Sequence, residues 1–340
     1  MRYDVTIGIP TYRVESFIKR TLESALGQDY PSIEFLVIDD GSDDNTLEIV
    51  KGIKAMHPRG KDIRILTHDH NMGVSETRNH ILEEAQGTYL YFVDSDDIIV
   101  PNTISLLMNE LIANRADAVF GSYERIDLSG ERELFQYPRV KFEIPDAFAD
   151  YVYHKYARFQ ASACNYLFNL SMVRENGLRF FKSDFWEDMV FTLNLATIFQ
   201  RVVLLPDITY SYLCRENSLS NSMQDVIEKE RIDQYFSAVN TLKVDKQKLI
   251  GKSYYPGRCY FAIMSDIYII CNVMKKWEHI HPSFSRKELC LNMSHPATFK
   301  EIWRFKNKRL QNLLFRVLAL LPSSLCLFLV RCFARIKGLL

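Results

Sequence analysis

In the stretch YLYFVDSDDIIVP, Tyr89 to Pro101, an apolar run ends in three carboxylates, Asp94, Asp96 and Asp97. Two more acidic pairs, Asp39–Asp40 and Glu187–Asp188, border apolar segments elsewhere. Carboxylates this close repel each other unless something cationic lies beside them. In an extended strand end alternate side chains share a side, so Asp94 and Asp96 face one way and Asp97 the other. Two carboxylates on one side make a hard oxygen site. Such a site suits Mg2+ or Mn2+, held by one or two carboxylates and by substrate phosphates. A capping turn before Pro101 accounts for one or two of these acids, but not for the clustering.

The flanking elements must position these groups. DVTIGI (Asp4–Ile9), IEFLVID (Ile33–Asp39), DIRILTH (Asp62–His68), TYLYFVD (Thr88–Asp94) and DAVFGS (Asp117–Ser122) are short and rich in β-branched and aromatic residues. They read as strands buried on both faces. VESFIKRTLESAL, DNTLEIVKGIKAM, GVSETRNHILEEA and NTISLLMNELIAN repeat apolar residues at helical spacing. The alternation predicts an α/β fold with a mostly parallel sheet flanked by helices. Ligands of such sheets bind outside the carboxyl ends of the strands. PTYR, DDGS, HNMG and DSDD follow the first four strands, so the polar residues gather at one sheet edge. From Met223 onward the spacing is mainly helical. The expected division is a catalytic body, 1–222, and a helical accessory region, 223–340.

Lys+Arg and Asp+Glu balance at 42 each, but unevenly along the chain. Residues 275–340 carry 13 basic and 3 acidic residues, which implies an anionic partner for the tail. Its charges interleave with long aliphatic runs, which favours phospholipid over nucleic acid. Seven cysteines without CxxC spacing fit a reducing compartment and argue against zinc. The start of the chain lacks a signal-peptide-like apolar stretch, so a cytoplasmic location is expected. His57, His68, His70 and His80 have no metal-ligand spacing, and His68 and His70 are expected to be solvated loop residues.

IGIPTYR, FLVIDDGSDDNT, HNMGVSETRN, YFVDSDD and FWED occur in an order and spacing that resemble family-2 glycosyltransferases with the GT-A (Rossmann-like) fold. The resemblance covers residues 1 to about 222. It implies an inverting transferase using a nucleotide diphosphate sugar, usually a UDP-sugar, and a divalent metal, Mn2+ or Mg2+. It also implies a glycan or lipid-linked acceptor and a place in polysaccharide assembly. Carried over by residue, Pro10 and Tyr12 would border the uracil and Asp40 would accept its imide N–H. Asn71 and Arg78 would close the nucleotide site. Asp94 would contact ribose or sugar, and Asp96 would bind the metal. Glu187 and Asp188 match the acceptor-side acids, with Asp188 the general base. Arg215 and Ser218 resemble a loop that closes over the diphosphate. A nucleotidyltransferase would show a Gly-rich, basic phosphate loop early in the chain, and GIPTYRVES is not one. A catalytically inactive nucleotide-sugar-binding membrane scaffold is the remaining alternative. Oligomeric state is left open.

In RVLALLPSSLCLFLVRCFARIKGLL, Arg316 to Leu340, the uncharged run spans only Val317 to Val330. A spanning helix needs about 20 apolar residues. A short apolar run with basic flanks predicts a helix lying in the interface. The expectation is peripheral attachment to the inner face of the membrane through roughly residues 300–340.

Overall fold

The computed structural model describes residues 3–154, 159–215, 227–244 and 246–338. The chain divides into two compact units, Met1–Phe148 with Gln160–Ser222, and Ala149–Phe159 with Met223–Leu340.

The first unit opens as β1 (Tyr3–Thr11), α1 (Ile18–Leu26), β2 (Ile33–Asp39), α2 (Thr46–Met56), β3 (Ile63–Thr67), α3 (Val74–Glu84) and β4 (Gly87–Phe92). It continues as β5 (Ile98–Ile99), α4 (Thr103–Asn114), β6 (Ala118–Ile126), β7 (Arg132–Phe135) and β8 (Val140–Phe142). After α5 (Ala147–His154), which runs from the first unit into the second, come β9 (Tyr166–Asn169), α6 (Leu170–Glu175), α7 (Glu187–Leu195) and β10 (Val202–Leu213). The sheet order is β3-β2-β1-β4-β9-β6-β10-β5, with β7 on β6 and β8 on β10. All seven residues of β2 are buried, as a strand covered on both faces requires.

β1 to β4 pair in parallel, as the alternation predicts. The sheet is nevertheless mixed, because β9 runs antiparallel between β4 and β6. β9 is not among the strands that the sequence pattern predicts, and this is a first correction. β9 has only four residues inside an aromatic-rich stretch, too few for a period of two to stand out. A second correction concerns the acidic cluster. β4 ends at Phe92, and residues 94–97 form a turn closed by the Asp97 N–H donating to the Asp94 carbonyl at 3.1 Å. The extended-strand argument for the direction of these side chains therefore does not apply.

Besides the end of α5 and a 3-10 turn at Trp277–His279, the described residues of the second unit contain a two-residue ladder of β11 (Ile227–Glu228) and β12 (Ile280–His281) and seven α-helices. They are α8 (Lys229–Thr241), α9 (Lys246–Leu249), α10 (Tyr255–Lys275), α11 (Arg286–Asn292), α12 (Phe299–Trp303), α13 (Arg309–Leu318) and α14 (Ser323–Ile336). α10 packs against α8, α13 and α14. Residues 149–159 join this unit: the buried Arg258 donates to the Tyr153 hydroxyl at 2.7 Å and to the Leu242 carbonyl at 2.8 Å. Tyr255, Cys259, Ala297, Ile302 and Phe305 form a core cluster. No described helix is long and apolar enough to cross a membrane.

Candidate active site

The carboxyl ends of β1, β2 and β3 are tied side by side. The Asp40 N–H donates to the Thr11 carbonyl and the His68 N–H to the Asp39 carbonyl, both at 2.8 Å. Asp39 caps the turn: its carboxylate accepts from Ser42 N–H at 3.0 Å and from the Ser42 hydroxyl at 2.6 Å. Gly41 has φ +71°, and a Cβ there would lie 2.8 Å from the His70 carbonyl carbon. Only glycine allows this approach of the β2 loop to the β3 loop. Asp40 is buried and accepts from Met72 N–H and Gly73 N–H, each at 2.8 Å. Pro10 is buried at the end of β1. Tyr12 is exposed, with the Arg13 guanidinium over its ring, and Asn71 is exposed in the β3–α3 loop.

α3 connects this edge to Glu187 and Asp188. Ser75, Arg78 and Asn79 lie at i, i+3 and i+4, hence on one face. Asn79 exchanges two hydrogen bonds with the backbone of Phe180, at 3.1 and 2.8 Å. The Ser75 hydroxyl lies 2.8 Å from the Phe181 carbonyl and 2.7 Å from that of Ser183. The segment leading into α7 is thereby held against α3. Arg78, only 5% exposed, donates to Asp94 at 2.8 Å and to Glu187 at 2.7 Å. Burial opposes its charge, and the two carboxylates outweigh burial.

Asp188 occupies the first turn of α7, after Trp186 in the left-handed region at φ 60°. Its carboxylate accepts from Met189 N–H at 2.6 Å. Burial, reinforced by the neighbouring Glu187, pushes it up to about 7. A carboxyl raised to about 7 is of the kind that can exchange a proton near neutral pH.

The acidic turn is anchored from two sides. On one, the Thr21 hydroxyl donates to the Ser95 carbonyl at 3.0 Å and Arg20 to the Asp96 carbonyl at 2.9 Å. On the other, the Tyr210 hydroxyl donates to Asp97 at 2.6 Å and accepts from Asp94 N–H at 3.2 Å. Leu213 N–H donates to the second Asp97 oxygen at 2.8 Å. Asp97 is therefore structural. Asp96 Oδ2 lies 2.5 Å from Arg215 Nε. Burial, then Asp94, raises the Asp96 carboxyl, and Arg215 opposes them. No group of three or more His, Cys, Asp and Glu is arranged to hold a metal among the described residues. Asp96 and Asp94 are hard oxygens of the kind that takes a divalent ion shared with a diphosphate, and each faces an arginine, Arg215 and Arg78 respectively. Ser218 lies outside the described residues.

The glycosyl transferase family 2 profile matches residues 6–175, half of the chain. The chain belongs to glycosyl transferase family 2. It is 29% identical over 230 residues to Glycosyltransferase GlyA of Streptococcus pneumoniae, covering 64% of this chain and 31% of GlyA. It is 34% identical over 125 residues to UDP-Glc:alpha-D-GlcNAc-diphosphoundecaprenol beta-1,3-glucosyltransferase WfgD of Escherichia coli, covering 37% of this chain and 47% of WfgD. The chain thus spans less than half the length of either relative. S. aureus TarS 1-349, solved in complex with UDP-GlcNAc, superposes with a TM-score of 0.66 at 18% identity, over 93% of this chain and 89% of TarS 1-349. That likeness shows the GT-A fold.

Sequence reasoning missed several residues of this candidate site. His68 is not a solvated loop residue: its side chain is 8% exposed and its Nδ1 lies 2.6 Å from Asp40. Its burial follows from the pairing of β3 with β2, which local pattern does not reveal. Tyr210, Ser75 and Asn79 were also missed. Ser75 and Asn79 stand inside HNMGVSETRN, so the motif itself was the available signal.

Proposed function

We propose that this family-2 chain is an inverting glycosyltransferase, moving a sugar from a UDP-sugar to a hydroxyl of a glycan or lipid-linked acceptor. The observation that carries this reading is Asp188, a carboxylate near neutrality at a helix start, linked through Glu187 and Arg78 to the acidic turn. Asp188 accepts the acceptor hydroxyl's proton as the oxygen attacks the anomeric carbon. The bond to the diphosphate breaks on the opposite face, and UDP leaves with the electron pair. A positioned base contributes roughly 10²–10⁴-fold. Pro10, Tyr12 and Asn71 border the base, and Asp40 accepts its imide N–H. Glu187 is engaged by Arg78, so its role is to hold that arginine rather than to take the proton. Arg78, with two donors occupied by carboxylates, positions Asp94 towards ribose or sugar. Arg215 lies beside Asp96, where it can meet the diphosphate. A divalent cation, Mn2+ or Mg2+, held by Asp96 with Asp94 beside it, would neutralise charge on the departing diphosphate. The UDP-GlcNAc complex of TarS and the UDP-Glc donor in WfgD's name support a UDP-sugar.

The same reading includes peripheral attachment to the inner face of the membrane. Trp303, Leu310, Leu314, Leu320, Phe328 and Ile336 on or beside α12–α14 are 60–83% exposed, apart from Leu314 at 59%. Lys300, Arg304, Arg309, Arg331 and Arg335 are interspersed among them. Exposed apolar residues with basic neighbours fit an anionic lipid interface.

The deciding experiment incubates the full-length chain with UDP- and GDP-sugars and Mn2+ or Mg2+. It reads thermal stabilisation, then product stereochemistry. A β-linked product from an α-linked donor is expected. Retention of configuration, or no stabilisation by any UDP-sugar, would overturn the reading.

A further inference from the structure

We propose that His68 and His80 set the base specificity of the nucleotide subsite by fixing the Asp40 carboxylate. The inference rests on the assignment of Asp40 as acceptor of the uracil imide. An ionised carboxylate offers roughly four acceptor positions. Asp40 uses three: Oδ1 takes His68 Nδ1 at 2.6 Å and Met72 N–H at 2.8 Å, and Oδ2 takes Gly73 N–H at 2.8 Å. One position remains, and the three donors determine where it points. Among the described residues no Lys or Arg forms an ion pair with Asp40; His68 alone faces it with a titratable side chain.

The carboxylate can only accept, so the His68 proton sits on Nδ1. When the ring is neutral, it presents a lone pair at Nε2. His80 Nδ1 lies 2.9 Å from that nitrogen, with the two rings 10° from parallel. In the neutral pair His80 donates, and this selects the His68 tautomer that serves Asp40. Without His80 the proton is free to move to Nε2, which sets a lone pair against the carboxylate. The consequence is discrimination. Uracil presents an N–H at ring position N3 where cytosine presents a lone pair. A carboxylate lone pair held there attracts the first and repels the second.

The test compares UDP and CDP binding to the full-length chain by titration calorimetry with Mg2+ present. His68→Ala is expected to weaken UDP binding about tenfold, as for loss of a hydrogen bond to a charged group. CDP binding changes little, so the UDP-to-CDP ratio falls. His68→Asn, whose amide donates from about the place of Nδ1, restores the ratio, and His80→Ala gives a smaller fall. A ratio unchanged in His68→Ala but lowered in Asp40→Ala would overturn the proposal. So would a loss in His68→Ala that His68→Asn does not restore, which points to packing alone. If His68→Ala does not fold, His80→Ala decides in the same way. A ratio unchanged in Asp40→Ala refutes the uracil assignment itself, and the inference with it.

Discussion

Replacing Asp188 by Asn should cripple the enzyme and stabilise its fold. Burial carries this carboxyl from an ordinary 3.8 to about 7. Each pH unit corresponds to about 1.36 kcal/mol, so holding the charged form costs the fold roughly 4 kcal/mol at most. Part of the rise comes from Glu187 and is relieved by any neutral replacement. A working figure is about 2–4 kcal/mol. The sign follows from proton uptake: between pH 4 and 7 the folded state binds the extra proton, so wild-type stability falls as pH rises through this range. The Asp188→Asn amide keeps an oxygen for Met189 N–H and carries no charge. At pH 8 the variant should therefore melt several degrees higher than wild type, at about 2–4 °C per kcal/mol for a unit of this size. At pH 4 the difference should vanish. Turnover should fall about 10²-fold or more with UDP affinity retained. Wild-type kcat/KM should decline as pH drops below about 7. Circular dichroism melts at the two pH values and a UDP-release assay measure both arms. Turnover within a few-fold of wild type, or equal melting at pH 8, would refute the argument that a buried, costly carboxylate serves as the base.

Asp96→Asn should abolish metal-dependent transfer, because a neutral amide is a poor ligand for a hard cation. EDTA should reproduce that loss and added Mn2+ or Mg2+ should reverse it in wild type; full activity in excess chelator contradicts this. Tyr210→Phe leaves one Asp97 oxygen buried without its donor and should lower stability by about 1–3 kcal/mol in urea unfolding. Truncation after about Lys300, an obvious test of membrane attachment, would remove Ile302 and Phe305 from the helical unit's core. Trp303→Glu combined with Phe328→Glu alters exposed positions instead. This double variant should lose binding to anionic phosphatidylglycerol vesicles in a flotation assay while keeping UDP binding; undiminished flotation would contradict the attachment.

Much of the polar sheet edge was legible in the residues themselves. Strands β1 to β4 announce themselves by apolar runs, and in a parallel sheet their carboxyl ends must lie together. PTYR, DDGS, HNMG and DSDD therefore had to share one edge, a consequence of local periodicity and the geometry of crossovers. The helical character of the region after Met223 was equally local. What tertiary structure alone decided is which polar group meets which. Arg78 reaches Glu187 across 109 positions, Tyr210 reaches Asp97 across 113, and β9 enters antiparallel between β4 and β6. The same holds for His68, whose polarity reads as solvated until β3 docks on β2 and buries it against Asp40. A residue's type determines which bonds it can make and its period determines which face it occupies. Its partner depends on how distant segments pack, and that is settled by the summed burial of the whole core, to which no single stretch of sequence is a guide.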